Sequence, residues 1–197
     1  SIMFHDNETS NFSGLNTHDE FNVNLIELNL EKNWSKSQLH LSIGYGNTAN
    51  AVNFGATNAA NSINTLNVMN AKYTYMTDYG LNIFFGKWEA PFGIEHYNHV
   101  ENMQYTRSYG FALTPFFQTG FGVNYNGGMW DAGFIASNGK GADTDTTDNN
   151  KTMAVTLGVN PMDQLAIDLN YITGTEGDVA ATSTYQVSVL DASVAFM

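Results

Sequence analysis

The residues best equipped for chemistry gather around a stretch bracketed by Pro91 and Pro115, where Glu89, Glu95, Glu101 and Arg107 share one segment with His96 and His99. Carboxylates facing a guanidinium can line a constriction, or can form an ion pair that pins a segment in place. The pinning role is preferred here, with Arg107 neutralising Glu95 or Glu101. Imidazoles beside carboxylates could hold a metal, but so polar a loop is expected to be solvated, and no metal or other cofactor is expected. Asp143, Asp145 and Asp148 have a calcium-loop spacing without the glycine and distal glutamate such a loop needs, so they read as a solvated acidic connection. His40 lies in mid-strand and His96 in a loop, with no serine or aspartate that strand register sets beside either. No catalytic residues are expected, and the chain is not read as an enzyme.

The elements that must carry this stretch are strands. Leu39, Leu41, Ile43 and Tyr45 alternate with Gln38, His40, Ser42, Gly44 and Gly46, as in a sheet with one face against lipid and the other against water or protein. The same pattern predicts strands over residues 20–34, 38–47, 65–76, 81–88, 117–125, 130–136, 153–159, 165–171 and 185–197. The first of these changes phase near Ile26, which marks a β-bulge. A short segment from Ser1 to His5 completes a set of about ten strands, the even number that closure requires. Met69 is assigned to the face of Ala71, Tyr73 and Tyr75. The opposite face is dominated by Gly44, Gly46, Gly120, Gly122, Ala154, Gly158 and Ser188.

Composition narrows the class. An apolar content of 43% with 13% aromatic is too rich for disorder, and 197 residues suit one domain, 1–197. No run of about eighteen apolar residues occurs, so a transmembrane helix is excluded, while a barrel dilutes its apolar residues by alternation. Ser1-Ile2-Met3-Phe4 lacks the charged and apolar regions of a signal peptide, which is expected to have been removed or omitted. Cysteine is absent, leaving no disulfide or thiolate metal site. A net charge of −12 with Arg107 as the one arginine argues against a nucleic-acid partner and against basic-patch binding to anionic membranes.

Connection lengths provide an independent check. Turns near residues 36, 78, 127 and 161 are short, whereas 48–64, 90–114, 138–150 and 173–182 are long, and the two kinds alternate. Bacterial barrels have that parity, with short turns on the periplasmic side. Segment 90–114 is thereby one long loop, inward or capping. The fold expected is all-β: a transmembrane antiparallel β-barrel, or an incomplete, strongly curved barrel sheet, of about ten strands in the bacterial outer membrane. Trp34, Tyr45, Tyr75, Tyr125, Trp130 and Tyr171 would form its interfacial aromatic girdle.

One stretch carries a family likeness. Gly86-Lys87-Trp88-Glu89-Ala90-Pro91-Phe92-Gly93-Ile94-Glu95, followed by Tyr105-Thr106-Arg107-Ser108, Pro115 and Thr119-Gly120, resembles the porin-like outer-membrane proteins known as β-barrel porins of the second type. The resemblance implies a porin-like role without a catalytic site. Such porins have about sixteen strands, and half that number encloses a narrower channel. The small inward residues then leave space for a plug, or for open protomers that associate so that no edge is left unpaired. The expectation is a small or loop-plugged barrel working as a homo-oligomer in passive transport of small solutes, with outer-membrane lipid around it. The alternative is a structural, lipid-organising membrane protein whose open protomers enclose lipid with little conductance; an outer-membrane hydrolase fits less well.

Overall fold

The computed structural model describes residues 2–5, 20–54, 66–104, 108, 110–111, 114–139, 150–177 and 184–196. The strands are β1 (Ile2–His5), β2 (Glu20–Val23), β3 (Ile26–Asn33), β4 (Ser37–Tyr45), β5 (Leu66–Met76), β6 (Leu81–Glu89), β7 (Phe117–Asn126), β8 (Trp130–Ser137), β9 (Thr152–Met162), β10 (Leu165–Gly177) and β11 (Thr184–Phe196). Strands β3 to β11 form one nine-stranded antiparallel sheet in chain order, and β1 pairs with β2 in a separate two-stranded sheet. The sheet is all-antiparallel as expected, but it is open: among the described residues the outer edges of β3 and β11 have no strand partner.

Alternation places the side chains. Leu28, Leu39, Val68, Phe85, Phe121, Phe134, Val155, Leu157, Leu169 and Leu190 all point outward and are 40% to 68% exposed, the reverse of a soluble core. At inward positions of the same strands, Ser42, Asn67, Phe84, Gln118, Ile135, Ala154, Asn170 and Ile172 are buried on the other face. Such a surface is stable where lipid covers the outward band.

Four local readings change. The phase shift near Ile26 is an interruption of the strand at Asn24 and Leu25, which separates β2 from β3, rather than a bulge within it. The connection after β4 contains a helix, α1 (Asn47–Phe54), seated on the inner side, where Ala49 and the Met69 side chain cover the place a side chain on Gly44 would occupy. So short a helix is marginal alone. Its early Thr48 N–H donates to Asn24 O at 2.9 Å, and Ala49 and Val52 pack with Leu25, Met69, Tyr97 and Phe117. Met69 is fully buried inside because the β4–β5 register shifts between Ser42 and Ile43 and turns it inward. Ser188 is on the exposed outer face, in phase with Leu190, and bonds Thr173 at 3.0 Å.

Curvature follows from the 90–116 connection. Gly93 N–H donates to Asp191 on β11 at 3.1 Å, and Tyr97 OH donates to Glu27 on β3 at 2.5 Å. Four residues span at most about 14 Å. In a flat sheet nine strands wide the two edges would stand roughly 38 Å apart. The sheet is therefore strongly curved around this segment, which crosses the concave side from one edge strand to the other.

Candidate functional site

The concave face and the segment crossing it make up the candidate site. The crossing begins at Gly86, whose φ of +116° brings it against the Ala71 carbonyl, where a Cβ could not fit. Beyond this irregularity both Lys87 and Trp88 are buried, which strict alternation would not allow. Lys87 Nζ donates to Asn53 on α1 at 2.5 Å and lies 5.2 Å from the Phe117 ring centroid. Trp88 packs edge-on against Phe84 at 4.9 Å. Ala90 N–H donates to Phe116 O at 2.9 Å and joins the two ends of the connection. Ala90 and Phe92 then pack on Ile135, Ala154 and Ile172, so the crossing segment is a strap held by an apolar cluster inside the sheet.

The far half of the strap returns toward β3. Tyr97 lies 5.1 Å from the Phe117 ring, and its hydroxyl shares Glu27 with Ser42. Burial, and next the bond to Glu27, push the Tyr97 phenol well above its usual range, so it stays protonated as a donor. His99 Nε2 lies 3.0 Å from Thr48 Oγ1 at the start of α1.

The expected site residues divide. Glu89 and Glu101 come together through His96, whose Nδ1 is 3.4 Å from Glu89 and 3.7 Å from Glu101. Glu89 also accepts from Tyr97 N–H at 3.4 Å, and Glu101 from Asn98 at 3.0 Å. Glu95 stands apart from them, accepting from Ser108 N–H at 2.9 Å and from the Ser108 hydroxyl. Arg107 and the Asp143–Asp148 run lie outside the described residues. His96 and His99 serve different partners, and among the described residues no group of three His, Asp or Glu is placed to hold a metal ion.

The strap's anchors, Glu27, Asp191 and Tyr97, were not read from the sequence. Glu27 and Asp191 carry a detectable signal, since each is an acid at an inward position of an otherwise alternating strand. Tyr97 carries none. Of the aromatic residues, Trp34, Tyr75, Tyr125 and Trp130 are exposed on the outer face beside the short turns, with Tyr125 and Trp130 in ring contact at 5.2 Å. Tyr45 ends β4 at the opposite end, and Tyr171 lies midway along β10.

The small inward residues have a structural use. Phe84 lies over Gly122, Thr156 over Gly133, Asp131 over Gly158 and Thr152 over Gly174, so each glycine is the floor beneath a neighbour's side chain. Beside the strap a cavity of about 410 Å³ remains, walled by Lys72, Asn124, Asp131, Asp168, Asn170 and Ser193. A second, of about 350 Å³, lies between Phe92, Glu95 and Phe111 on the strap side and Ala192 and Val194 of β11.

A single antiparallel meander, apolar outside and with polar and charged side chains around an apolar cluster within, its long connection folded into the hollow, has the architecture of the porin-like β-barrel class. Residues 3–193 match the model of the family described as "Putative beta-barrel porin-2, OmpL-like", and the chain belongs to that family. No curated protein and no solved structure matches the chain significantly.

Proposed function

We propose that the protein is a porin-like protein of the bacterial outer membrane that passes small solutes along the polar hollow beside the strap. The observation that carries this reading is the cavity of about 410 Å³, lined by Lys72, Asp131, Asp168, Asn124 and Asn170, behind an outer face of exposed leucine, valine and phenylalanine. Charged and amide groups set among apolar wall residues such as Phe84, Trp88 and Ile135 give water-soluble molecules polar contacts inside a lipid-facing sheet, and the strap narrows the path. Family membership supports a role without catalysis.

The working form is a homo-oligomer. Unpaired backbone groups on the edges of β3 and β11 would each cost several kcal/mol in hydrocarbon, about 4–8 kcal/mol for an unsatisfied amide, so the edges need strand partners. From the end of β6 through the loop, Glu89, Glu95, Glu101 and Arg107 line or pin the narrow part, with Arg107 neutralising Glu95 or Glu101. Planar-bilayer recording of the purified chain, combined with its mass in detergent, tests the reading. Stepwise conductance from particles larger than one chain is expected. Co-purified lipid with no conductance would favour the lipid-organising alternative, and a strictly monomeric particle would remove the oligomer. Arg107→Ala should alter conductance or assembly, and no change in either would take Arg107 out of the scheme.

A further inference from the structure

We propose that the passage admits small cations in preference to anions, and that Asp131 and Asp168 set this preference; the inference rests on the transport reading above. Charge on the concave side is unequal. Glu27, Glu89, Asp131, Asp168 and Asp191 face inward, while the cation on the cavity wall is Lys72. The other inner lysine, Lys87, is buried and bonded to Asn53 of α1.

Most of these carboxylates serve the architecture. Glu27 holds Tyr97 and Ser42, Glu89 holds His96 and Tyr97 N–H, and Asp191 holds Gly93 N–H and Asn170. Asp131 and Asp168 differ: among the described residues neither has a hydrogen-bond or ion-pair partner, yet both line the cavity. Strand register sets them level, because Asp131 on β8 and Asp168 on β10 both stand opposite Gly158 of the intervening β9. Their backbones are thus roughly 10 Å apart. The Asp131 carboxylate occupies the space that a side chain on Gly158 would fill, so the glycine makes room for the charge.

Lys72 reaches the same cavity from β5, on another part of the wall. Its ammonium lies 4.6 Å from the Phe84 ring centroid, and no carboxylate of the described residues comes within ion-pair distance of it. A solute in the hollow therefore meets two uncommitted negative charges and one positive charge. For an ion passing within about 5 Å of a fixed charge in a water-like medium, each charge changes local occupancy about fourfold. Low-dielectric walls strengthen the effect and salt weakens it.

The test is the reversal potential of the purified full chain in planar bilayers under a KCl gradient. The wild-type chain should favour K⁺ over Cl⁻. Asp131→Asn combined with Asp168→Asn, a change that keeps side-chain shape, should lower the permeability ratio by at least about tenfold after salt screening, because each charge acts in opposite directions on cation and anion. Lys72→Gln should raise it, and Asp163→Asn, on an exposed short turn away from the cavity, should leave it unchanged. Conductance steps show that each variant has inserted. Steps with unaltered ion preference in the double variant, or an anion-preferring wild type, overturn the inference while transport stands. Absence of steps from the wild-type chain overturns the transport reading, and the inference falls with it.

Discussion

Tyr97→Phe isolates a single anchor of the strap. The substitution keeps the ring against Phe117 and removes only the hydroxyl that donates to Glu27 at 2.5 Å. A hydrogen bond to a charged acceptor contributes about 1.5–3 kcal/mol. Glu27 keeps its bond from Ser42, so the loss belongs at the lower end, about 1.5 kcal/mol. Undocked strap should become roughly tenfold more populated. Limited proteolysis by a broad-specificity protease reads this population directly, provided that opening is fast compared with cleavage. The initial rate of cutting within residues 90–116 should rise roughly tenfold. The pH dependence has a definite sign, because the phenol pKa is raised on docking and its proton is held more tightly in the docked state. The anchor is complete below about pH 10 and weakens above it as the phenol ionises. A cutting rate for Tyr97→Phe within about twofold of wild type would refute the assignment of Tyr97 and Glu27 as an anchor.

Other perturbations test separate parts of the fold. Asp191→Ala removes the acceptor for both Gly93 N–H and Asn170, and should accelerate cleavage of the strap while the sheet itself stays intact by circular dichroism. Gly122→Val places a side chain where Phe84 lies and should destabilise the inner cluster by about 1–3 kcal/mol, read by urea unfolding in lipid. Leu157→Arg puts a charge on the lipid side and should cost about 2–4 kcal/mol in the same assay if the residue sits near mid-bilayer. Single-tryptophan variants retaining Trp34 or Trp130 should be quenched more by lipids brominated near the headgroup than by lipids brominated at the chain ends, as an interfacial girdle requires.

The strands were legible because their outward positions repeat every second residue over long runs. Leu39 to Tyr45, Leu81 to Phe85 and Phe121 to Tyr125 leave no other pattern available, and the turns between strands are short enough to force antiparallel neighbours. Alternation failed where a single backbone irregularity intervened. Met69 leaves the phase of Ala71 and Tyr73 at the β4–β5 register shift, which nothing in Val68-Met69-Asn70 announces. Lys87 and Trp88 are both buried because Gly86 adopts a left-handed conformation, which a glycine permits but does not require. Ser188 shares the outward phase of Leu190, so its place follows from alternation alone. The α1 helix was missed because Asn47 to Phe54 has weak helical character, and its inner packing against Met69 sustains it.

The candidate site was legible in part. Its location between Glu89 and Glu101 follows from residue types in one stretch, but the pairing through His96 does not, since it depends on how the loop doubles back. Local alternation was enough to establish an antiparallel sheet with an apolar exterior, because each residue's face depends only on its own strand. The open edges, the strap that joins β3 to β11, and the choice of Asp131 and Asp168 as the uncommitted charges were decided by tertiary structure. Each depends on residues far apart in the chain being brought together by curvature, and neither periodicity nor composition carries that information.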